Sequence, residues 1–327
     1  MKAIVHSEYG PPDTLRLAEV AVPVPREGEV LLEVRAASAN PLDWHFMRGS
    51  PYLGRIAFGL RRPKDARVGV DVAGRVAAVA GNATQLKPGD EVFGVCKGAF
   101  AEHASASESK LAIKPAGVTF EQAASVPVAG LTALQAIRDH GRIHPGRRVL
   151  INGAAGGVGT FAVQIAKSFG AEVTGVCSAH NADLVRSIGA DRVVDYARED
   201  FTRSGTRYDL IVDSIGNHSL AACRRALTTE GVLVLVGGPN TGRWLGPLVR
   251  MVRAGIMSRF LRQKLVPMLA RVTRDDLAVI RELLETRKVV PVIDRTYPLG
   301  EVAEAIRYLE QGHARGKVVI TMEHHVS

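Results

Sequence analysis

The clearest chemical signal in the sequence is a glycine-rich turn between an apolar run and a helical pattern. This segment is Val149–Gly159, with the sequence VLINGAAGGVG. Glycine tolerates the backbone angles of a sharp turn, and small side chains let a pyrophosphate approach the main chain. A helix that begins there offers unpaired N–H groups and the positive end of its dipole to an anion. The pattern therefore predicts a dinucleotide-binding turn.

The predicted cofactor contacts in this turn are Gly153, Ala155, Gly156, Gly157, Val158 and Gly159. The next predicted strand, from Glu172, ends near Ser178 without the Asp or Glu that holds the ribose hydroxyls of NAD. A 2′-phosphate fits beside the Ser178 hydroxyl and the Asn181 amide, with His180 and Arg186 supplying positive charge. We therefore predict NADPH as the cofactor, although Ser178 and Asn181 also suit helix N-capping.

The elements that must position this turn are strands and helices in alternation. Residues 123–295 alternate continuous apolar runs with helical patterns, which is typical of a parallel sheet covered on both faces. Residues 1–122 instead contain short strands separated by turns and predict a barrel-like all-β unit. Thr119–Gln122 has the sequence of a helix capping box. The tail adds a helix and a strand, Lys317–Ile320, which we expect to return to the first domain.

Length and composition agree with a globular α/β protein of two domains. The chain has 327 residues, 46% hydrophobic and 23% charged, and domains usually contain about 100–200 residues. No apolar run approaches the roughly 18 residues of a membrane span, and the N-terminus lacks the apolar core of a signal peptide. The three cysteines are far apart, without CxxC spacing. These features predict a cytoplasmic protein.

The positive charge of the chain is concentrated in one region. The formal net charge is +9, and eight basic residues and no acidic one lie between Arg243 and Arg274. Without those eight the net charge is +9 − 8 = +1. A nucleic-acid-binding surface would be more widely basic, and no nucleic-acid-binding motif is present. We therefore expect no nucleic-acid partner.

Residues 244–264 form a basic apolar segment within that region. Its apolar residues at helical spacing are Leu245, Leu248, Val249, Val252 and Ile256. Arg250 and Arg253 fall away from that stripe. Three interpretations are open: a packed helix with a solvated face, a lid or subunit contact, and a surface that touches an anionic membrane.

Further motifs are spread along the whole chain. They are Ala39–Trp44, Gly69–Gly74, Lys87–Val92, Val126–Ala133, Gly189–Asp191, Asp195–Tyr196 and Gly316–Val319. Together with the glycine-rich turn, they resemble the medium-chain dehydrogenase/reductase superfamily, specifically its zinc-free quinone oxidoreductase-like branch. The resemblance implies a GroES-like β-barrel domain from residues 1–122 and 296–327, around a Rossmann domain at 123–295. It also implies substrate binding between the domains, and a homodimer.

The resemblance allows zinc binding to be examined position by position. Zinc-dependent relatives carry Cys where this chain has Asn40, and Gly-His-Glu where it has Gly69–Asp71. A catalytic zinc needs about three protein ligands and an open position, and Asp71 alone does not supply them. The four-cysteine structural lobe of those relatives is also absent from the sequence. We therefore predict no metal.

Without a metal, hydrogen-bond donors must stabilise the negative charge that develops on the substrate oxygen. The resemblance implies that Asn40 and Tyr52 are these donors. A second pocket tyrosine of some relatives falls at or next to His45, so His45 is a candidate proton donor with a pKa near neutrality. Packing is the alternative role for His45, and a turn before Pro41 is the alternative for Asn40.

The remaining implied contacts lie along the cofactor. Thr132 and Ser214 resemble neighbours of the nicotinamide, Tyr196 a contact of the adenosine end, and Gly237 a strand end that the cofactor crosses. The predicted function is zinc-independent, NADPH-dependent hydride transfer to a quinone or to the β-carbon of an α,β-unsaturated carbonyl. The alternatives are an alcohol or aldehyde dehydrogenase, and a nucleotide-binding regulatory or structural protein with little turnover.

Overall fold

The computed structural model describes residues 1–50, 52, 55–237 and 246–322, without the side chains of 57, 58 and 246–248. The chain divides into two compact units. The first contains residues 1–131 and 272–287 and the chain from 291 onwards; the second contains 132–271 and 288–290. Residues 123–131, 272–287 and 291–295 thus belong to the first unit, whereas the sequence analysis assigned them to the second domain. Side chains of the first unit hold two of these segments: the Asp71 carboxylate accepts the Val128 N–H, and the Lys110 ammonium donates to the Val272 carbonyl.

The N-terminal part of the chain is mainly β-structure. Its elements are β1 (Lys2–Val5), β2 (Arg16–Glu19), β3 (Glu29–Ala39), α1 (Pro41–Arg48), α2 (Arg55–Phe58), β4 (Asp71–Val79), β5 (Glu91–Val95), β6 (His103–Ser107), β7 (Leu111–Ile113), α3 (Phe120–Ala124) and α4 (Pro127–Leu134). Short 3₁₀ turns lie at Pro12–Thr14 and Glu108–Lys110. The predicted cap of α3 is confirmed, since the Gln122 N–H donates to the Thr119 hydroxyl.

The remainder of the chain alternates strands and helices. After a π-helical turn at Gln135–His140 come β8 (Arg148–Asn152), α5 (Gly157–Ser168), β9 (Glu172–Cys177), a 3₁₀ turn (Ala179–Asn181), α6 (Ala182–Ser187), β10 (Arg192–Asp195), β11 (Tyr208–Asp213), α7 (Leu220–Arg225), β12 (Leu227–Leu235), α8 (Gly246–Ser258), β13 (Lys264–Pro267), α9 (Arg274–Glu285), β14 (Ile293–Pro298), a 3₁₀ turn (Leu299–Glu301), α10 (Val302–Glu310) and β15 (Lys317–Thr321).

The sheet of the first unit is built around the long strand β3. Among the described residues its strands follow the order β14-β15-β3-β4-β5-β7, and β6 also pairs with β3. The last strand, β15, runs antiparallel to β3 with Val318 opposite Ala39. The end of the chain therefore returns to the first unit and places Lys317 beside the C-terminal end of β3.

The sheet of the second unit is parallel, with strand order β10-β9-β8-β11-β12-β13 in the described part of the chain. Val149, Leu150 and Ile151 of β8 are fully buried, as a strand covered on both faces requires. Strand order reverses between β8 and β11, where consecutive crossovers depart to opposite sides. In open α/β sheets, ligands bind at such a point, beyond the carboxyl ends of the strands.

Within the described residues, no helix combines the length and the apolar character that a membrane crossing requires.

Candidate functional site

The glycine-rich turn lies at the carboxyl end of β8, against the neighbouring strand β9. The N–H groups of Gly153 and Ala154 both donate to the Val176 carbonyl, at 3.1 and 3.0 Å. Gly153 has φ +90°, a conformation that side chains disfavour. The Gly156 N–H then donates to the Gly153 carbonyl at 3.1 Å, which closes the turn.

Helix α5 begins directly from this turn with its first amides uncapped. Gly156 is the N-cap, and no side chain accepts from the first turn of the helix. A Cβ atom on Gly159 would lie 2.0 Å from the Gly153 carbonyl oxygen, so only glycine allows the helix to pack this close to the turn. The free N–H groups at Gly157 and Val158 and the helix dipole together suit a pyrophosphate.

Polar side chains join the ends of β8 and β11 at the point where strand order reverses. Asn152 donates its amide to Asp213 and to Asn217, both at 2.9 Å. Asp213 is fully buried and also accepts the Gly216 N–H at 2.9 Å. Its other oxygen accepts from Arg250 of α8 at 2.6 Å. Asp213 thus fixes the loop that follows β11.

Several buried polar atoms at this edge have no partner in the described part of the chain. They are Asn181 Oδ1, Ser214 Oγ, and Nε and Nη1 of Arg250. Burying a hydrogen-bonding atom without a partner costs about 1–3 kcal/mol. The hydroxyl and guanidinium donors and the amide acceptor suit the phosphate, ribose and amide groups of a dinucleotide, so the residues present fit such a cofactor.

The other predicted cofactor residues also belong to the second unit. Ser178 begins the 3₁₀ turn after β9 and is half-buried, whereas the Tyr196 side chain is 60% exposed. Thr132 is buried. A Cβ on Gly237 would lie 2.3 Å from the Ser214 carbonyl oxygen, so these two predicted contacts are neighbours. Their contact with a cofactor stays a prediction.

The first unit contains a fully buried polar cluster, Ser38–Asn40–Asp71–Lys317. Asn40 donates its amide to Asp71 Oδ2 at 2.9 Å and to the Ser38 carbonyl at 3.3 Å. Lys317 donates to Asn40 Oδ1 at 2.6 Å and lies 3.5 Å from Asp71 Oδ2. Burial raises the pKa of Asp71 and lowers that of Lys317, while their mutual attraction opposes both shifts.

Asp43 lies beside this cluster in the first turn of α1. One carboxyl oxygen accepts the Asn40 N–H at 2.7 Å, and the other is buried without a partner among the described residues. Burial and the nearby Asp71 raise the pKa of Asp43 to about 7, against the opposing effect of the Asn40 hydrogen bond. Asp43 therefore fixes the backbone at Asn40 through this hydrogen bond. With a pKa of about 7, it changes its charge near neutral pH.

Two of the positions compared with zinc-dependent relatives fall within this cluster: Asn40, where those relatives carry Cys, and Asp71, where they carry the Glu of Gly-His-Glu, while Val70 stands at the position of the His. Asn40 uses both its amide nitrogen and its amide oxygen there, and Asp71 accepts from Asn40, from Ser38 and from the Val128 N–H. The described residues contain no group of three or more His, Cys, Asp or Glu side chains with the spacing of a metal site. The Lys317 ammonium therefore lies beside Asn40 Oδ1 and Asp71 Oδ2, the oxygen atoms that a metal ion at this position would need as ligands.

The candidate proton donor and the second candidate hydrogen-bond donor lie on or just after α1. His45 stacks on Trp44, with ring centroids 3.7 Å apart, and its Nδ1–H donates to the Ser50 carbonyl at 2.9 Å. Burial lowers the pKa of His45, so the neutral ring with a proton-free Nε2 is favoured at neutral pH. Tyr52 is half-buried under the Arg55 guanidinium, which lies 4.5 Å from the ring centroid.

Three residues of these sites escaped the sequence analysis: Ser38, Arg250 and Lys317 in its buried role. Lys317 belongs to the Gly316–Val319 motif and begins an apolar strand, KVVI, where a charged residue is unusual, but neither signal indicates its buried partners. Arg250, which the helical spacing places away from the apolar stripe of the basic segment, pairs with the buried Asp213.

Comparison with known proteins gives a consistent assignment. A profile described as "Alcohol dehydrogenase GroES-like domain" matches residues 26–136, and one described as "Zinc-binding dehydrogenase" matches 188–320. The chain is 34% identical over 334 residues to a chloroplastic quinone-oxidoreductase homolog of Spinacia oleracea, covering 98% of both proteins. It belongs to the medium-chain dehydrogenase/reductase superfamily, in the quinone oxidoreductase-like branch.

Two further similar proteins are both described by their names as using or binding NADPH. An NADPH-dependent alkenal/one oxidoreductase of Arabidopsis thaliana is 33% identical over 339 residues, covering 98% of this chain and 79% of the relative. The crystal structure of Escherichia coli quinone oxidoreductase complexed with NADPH matches with a TM-score of 0.83 and 25% identity, covering 98% of this chain and all of that one. The predicted GroES-like and Rossmann folds are confirmed, and the protein is an oxidoreductase that uses a nicotinamide cofactor.

Proposed function

We propose that this member of the superfamily is an NADPH-dependent reductase of quinones or α,β-unsaturated carbonyl compounds that works without zinc. The observation that carries the proposal is the uncapped start of α5 at the reversal point of the sheet, beside a β9 end that has no carboxylate. When bound, the reduced nicotinamide supplies the hydride. The chain's own residues bind the dinucleotide, orient it and stabilise the substrate oxygen.

The preference for NADPH is supported by the residues after β9. A 2′-phosphate needs donors or positive charge, and a carboxylate would repel it. Ser178 and Asn181 are polar and half-buried, and His180 is exposed beside them. The nearest acid in register is Asp195, opposite Cys177 on β10, and it accepts the Ala197 N–H.

The substrate oxygen needs a donor, and this role is proposed for the Tyr52 hydroxyl. Asn40 is 2% exposed and donates its amide within the buried cluster. To donate to a substrate oxygen, it would have to break its hydrogen bond to Asp71 or to the Ser38 carbonyl. We therefore assign Asn40 a positioning role at the start of α1. Because burial lowers the pKa of His45 and its Nδ1–H donates to the Ser50 carbonyl, the neutral ring offers Nε2 as a hydrogen-bond acceptor and becomes a proton donor there only after protonation in acid.

Independence from zinc is supported by the buried lysine. The Lys317 ammonium lies 2.6 Å from Asn40 Oδ1 and 3.5 Å from Asp71 Oδ2. Its positive charge neutralises Asp71 and opposes a divalent cation at the same oxygens. The profile described as "Zinc-binding dehydrogenase" then reflects common ancestry of the fold.

The test is oxidation of NADPH and NADH by the full chain with a panel of quinones, enones and aldehydes. We expect turnover with quinones or enones, a lower KM for NADPH than for NADH, and no effect of a zinc chelator. Ser178→Asp places a carboxylate at the end of β9. It should raise the KM for NADPH about 5- to 30-fold, since one nearby like charge changes binding by about 1–2 kcal/mol, and leave that for NADH unchanged.

The control variant is Ser187→Asp, which adds the same charge at an exposed position of α6. An equal effect of both variants would contradict the assignment of the 2′-phosphate site. Binding of NADPH without turnover of any substrate class would identify a nucleotide-binding protein instead. Activity that requires added zinc would contradict the metal-free proposal.

A further inference from the structure

The helix α8 carries an apolar stripe that faces solvent. Val249 is 46% exposed, Val252 59%, Ile256 57%, and Phe260, just beyond the helix, 82%. Val249, Val252 and Ile256 recur at intervals of three and four positions, so they share one helical face, and Phe260 follows in the turn after the helix. The opposite face is the packed one: Ala254 is fully buried, and Met257 and Leu261 pack on the core of the second unit.

The segment is a packed helix with a solvated face, one of the three interpretations that the sequence left open, but the solvated face is the one that carries its branched apolar residues. The small residue Ala254 faces the core, and the branched side chains face outward. Leu245 lies outside the described residues, as does the side chain of Leu248. Monomeric proteins seldom expose contiguous apolar surface of this kind, and where they do it usually marks an interaction site.

Exposed arginines lie beside the stripe. At 100° per residue, Arg253 lies beside Val249 and Ile256 on the helix, and Arg259 follows directly in the turn after α8, where its N–H donates to the Ile256 carbonyl. Both are exposed, and neither has an ion-pair partner in the part of the chain that the structure describes. The sequence has no acidic residue between Glu230 and Asp275 to neutralise them.

The same segment continues into a second basic feature, a surface depression of about 350 Å³. Its lining includes four arginines: Arg207, Arg224, Arg225 and Arg262. Arg224 Nε donates to Gln263 Oε1 at 3.0 Å, and the Gln263 amide donates back to the Arg224 carbonyl. A neutral side chain thus fixes the Arg224 guanidinium and leaves its charge uncompensated, which favours a phosphate group.

The depression lies at the amino ends of the parallel strands, where β11, β12 and β13 begin at Tyr208, Leu227 and Lys264. The glycine-rich turn lies beyond their carboxyl ends. The basic depression is therefore separate from the dinucleotide site, and its arginines remain available when a cofactor is bound.

We propose that the α8 face, Val249–Val252–Ile256–Phe260 with Arg253 and Arg259, docks on an anionic phospholipid membrane surface. The apolar side chains enter the boundary between headgroups and acyl chains, and the arginine stems extend their guanidinium groups to the phosphates. The arginine-lined depression adds headgroup contacts. Charge selects this occupant: a second copy related by a two-fold axis would place this basic face against itself.

The experiment is flotation of the full chain with vesicles of phosphatidylcholine, alone or mixed with phosphatidylglycerol. We expect binding only to the anionic vesicles, with loss of binding between about 0.05 and 0.5 M salt as the Debye length shortens. Inorganic phosphate is the soluble probe: competition by millimolar phosphate would assign the site to a free anion and overturn the membrane proposal.

Two pairs of variants separate the apolar and the electrostatic contributions. Arg253→Gln with Arg259→Gln should weaken vesicle binding about 25-fold, because each basic residue near an anionic surface strengthens binding about fivefold. Val252→Ser with Ile256→Ser should weaken it more than tenfold, because each buried methylene contributes about a fourfold factor. The matched controls are Arg16→Gln with Arg26→Gln, and Val24→Ser with Leu269→Ser, all at exposed positions.

Unchanged NADPH oxidation without vesicles, together with an unchanged circular dichroism spectrum, shows that each variant is folded. Equal binding of the α8 variants and their controls would overturn the proposal. So would a dimer in analytical ultracentrifugation that dissociates in the Val252→Ser, Ile256→Ser variant, because a second copy would then cover the face. A failure of NADPH oxidation in the wild type bears on the proposed function alone, since vesicle binding is measured without substrate.

Discussion

Lys317 is the residue on which the polar interior of the first unit depends. Its ammonium is 3% exposed and compensates the fully buried Asp71, while also donating to Asn40. Burying two charges is costly, and the arrangement persists only because each has a charged partner and hydrogen bonds. Removing one partner leaves the other as an uncompensated buried charge.

Lys317→Met keeps the length of the side chain and removes the charge. We expect it to lower the free energy of unfolding by about 3–5 kcal/mol, the usual cost of breaking a buried pair. Adding Asp71→Asn to this variant should recover part of the loss, because the uncompensated carboxylate is then gone. Urea denaturation measures both effects. Lys87→Met, at an exposed position, serves as the control, and strictly additive losses in the double variant would refute the charge argument.

Asp43 gives the first unit a pH-dependent stability. Its pKa is about 7 in the folded protein and about 3.9 in an unfolded chain. Between these values the folded state holds a proton that the unfolded state has lost, so this group's contribution falls as pH rises from about 4 to about 7. The full shift corresponds to about 4 kcal/mol.

Asp43→Asn should remove this slope. Relative to wild type, the free energy of unfolding of the Asp43→Asn variant should therefore increase by a few kcal/mol between pH 4 and pH 7. Urea denaturation across that range measures it. Asp183→Asn changes a fully exposed carboxyl and should show no such trend; parallel curves for Asp43→Asn and wild type would rule out the raised pKa.

At the scale of the elements, the turn between β8 and α5 depends on the absence of one side chain. A Cβ on Gly159 would meet the Gly153 carbonyl oxygen at 2.0 Å, whereas a Cβ on Gly156 would have its nearest contact, the same oxygen, at 3.4 Å. The first contact is with backbone atoms, which move only if the turn rearranges. The second is ordinary van der Waals contact.

Gly159→Ala should therefore destabilise the protein by about 1–3 kcal/mol, the range for overpacking a tight site, and should abolish detectable NADPH binding. Gly156→Ala should cost less than about 1 kcal/mol, because alanine is only a poorer N-cap than glycine. Thermal unfolding and fluorescence titration with NADPH measure the two effects. Equal destabilisation by the two variants would show that packing against Gly153 does not limit the turn.

The sequence was informative where a single element carries its own signal. The apolar runs of β8 and β11, the Thr119 capping box and the strand–turn–helix geometry of the glycine-rich segment depend on neighbouring residues, and each was predicted correctly. The orientation of α8 was not predictable, because helical spacing identifies an apolar face without saying whether the core or solvent receives it. The Asn40–Asp71–Lys317 cluster joins residues up to 277 positions apart, and no local pattern reports such a pairing.

At the scale of the whole molecule, the chain passes between the units more than once. The first unit is completed by residues 272–287 and by the chain from 291 onwards. Strand β15 pairs with both β3 and β14 and also supplies Lys317. The first unit therefore gains its charge compensation only after the last strand is in place, and the second unit, from 132 to 271, carries the dinucleotide turn within one nearly continuous segment.

This separation predicts how ligands affect the stability of the whole chain. A ligand that binds only the folded state at about 100 times its Kd adds about 2.7 kcal/mol. For a cooperative protein of 327 residues, that raises Tm by about 4 °C. We expect NADPH to produce such a rise, with slower amide hydrogen exchange concentrated at residues 153–159. Zinc ions and a zinc chelator should each leave Tm unchanged, because Lys317 already compensates Asp71 and no third ligand stands near it among the described residues.

The Lys317→Met variant makes the metal part of this prediction sharper. Without the ammonium, no positive charge near Asp71 opposes a divalent ion. Zinc should therefore bind at Asn40 and Asp71 more tightly in this variant than in wild type, if it binds there at all. A rise in Tm with zinc in wild type and variant alike would mean that the lysine does not exclude the metal. A rise in the variant alone would show that the lysine takes the place of the ion. If zinc raises the Tm of neither protein, Asn40 and Asp71 are too few ligands to bind it even without the lysine, since a zinc site needs about three protein donors.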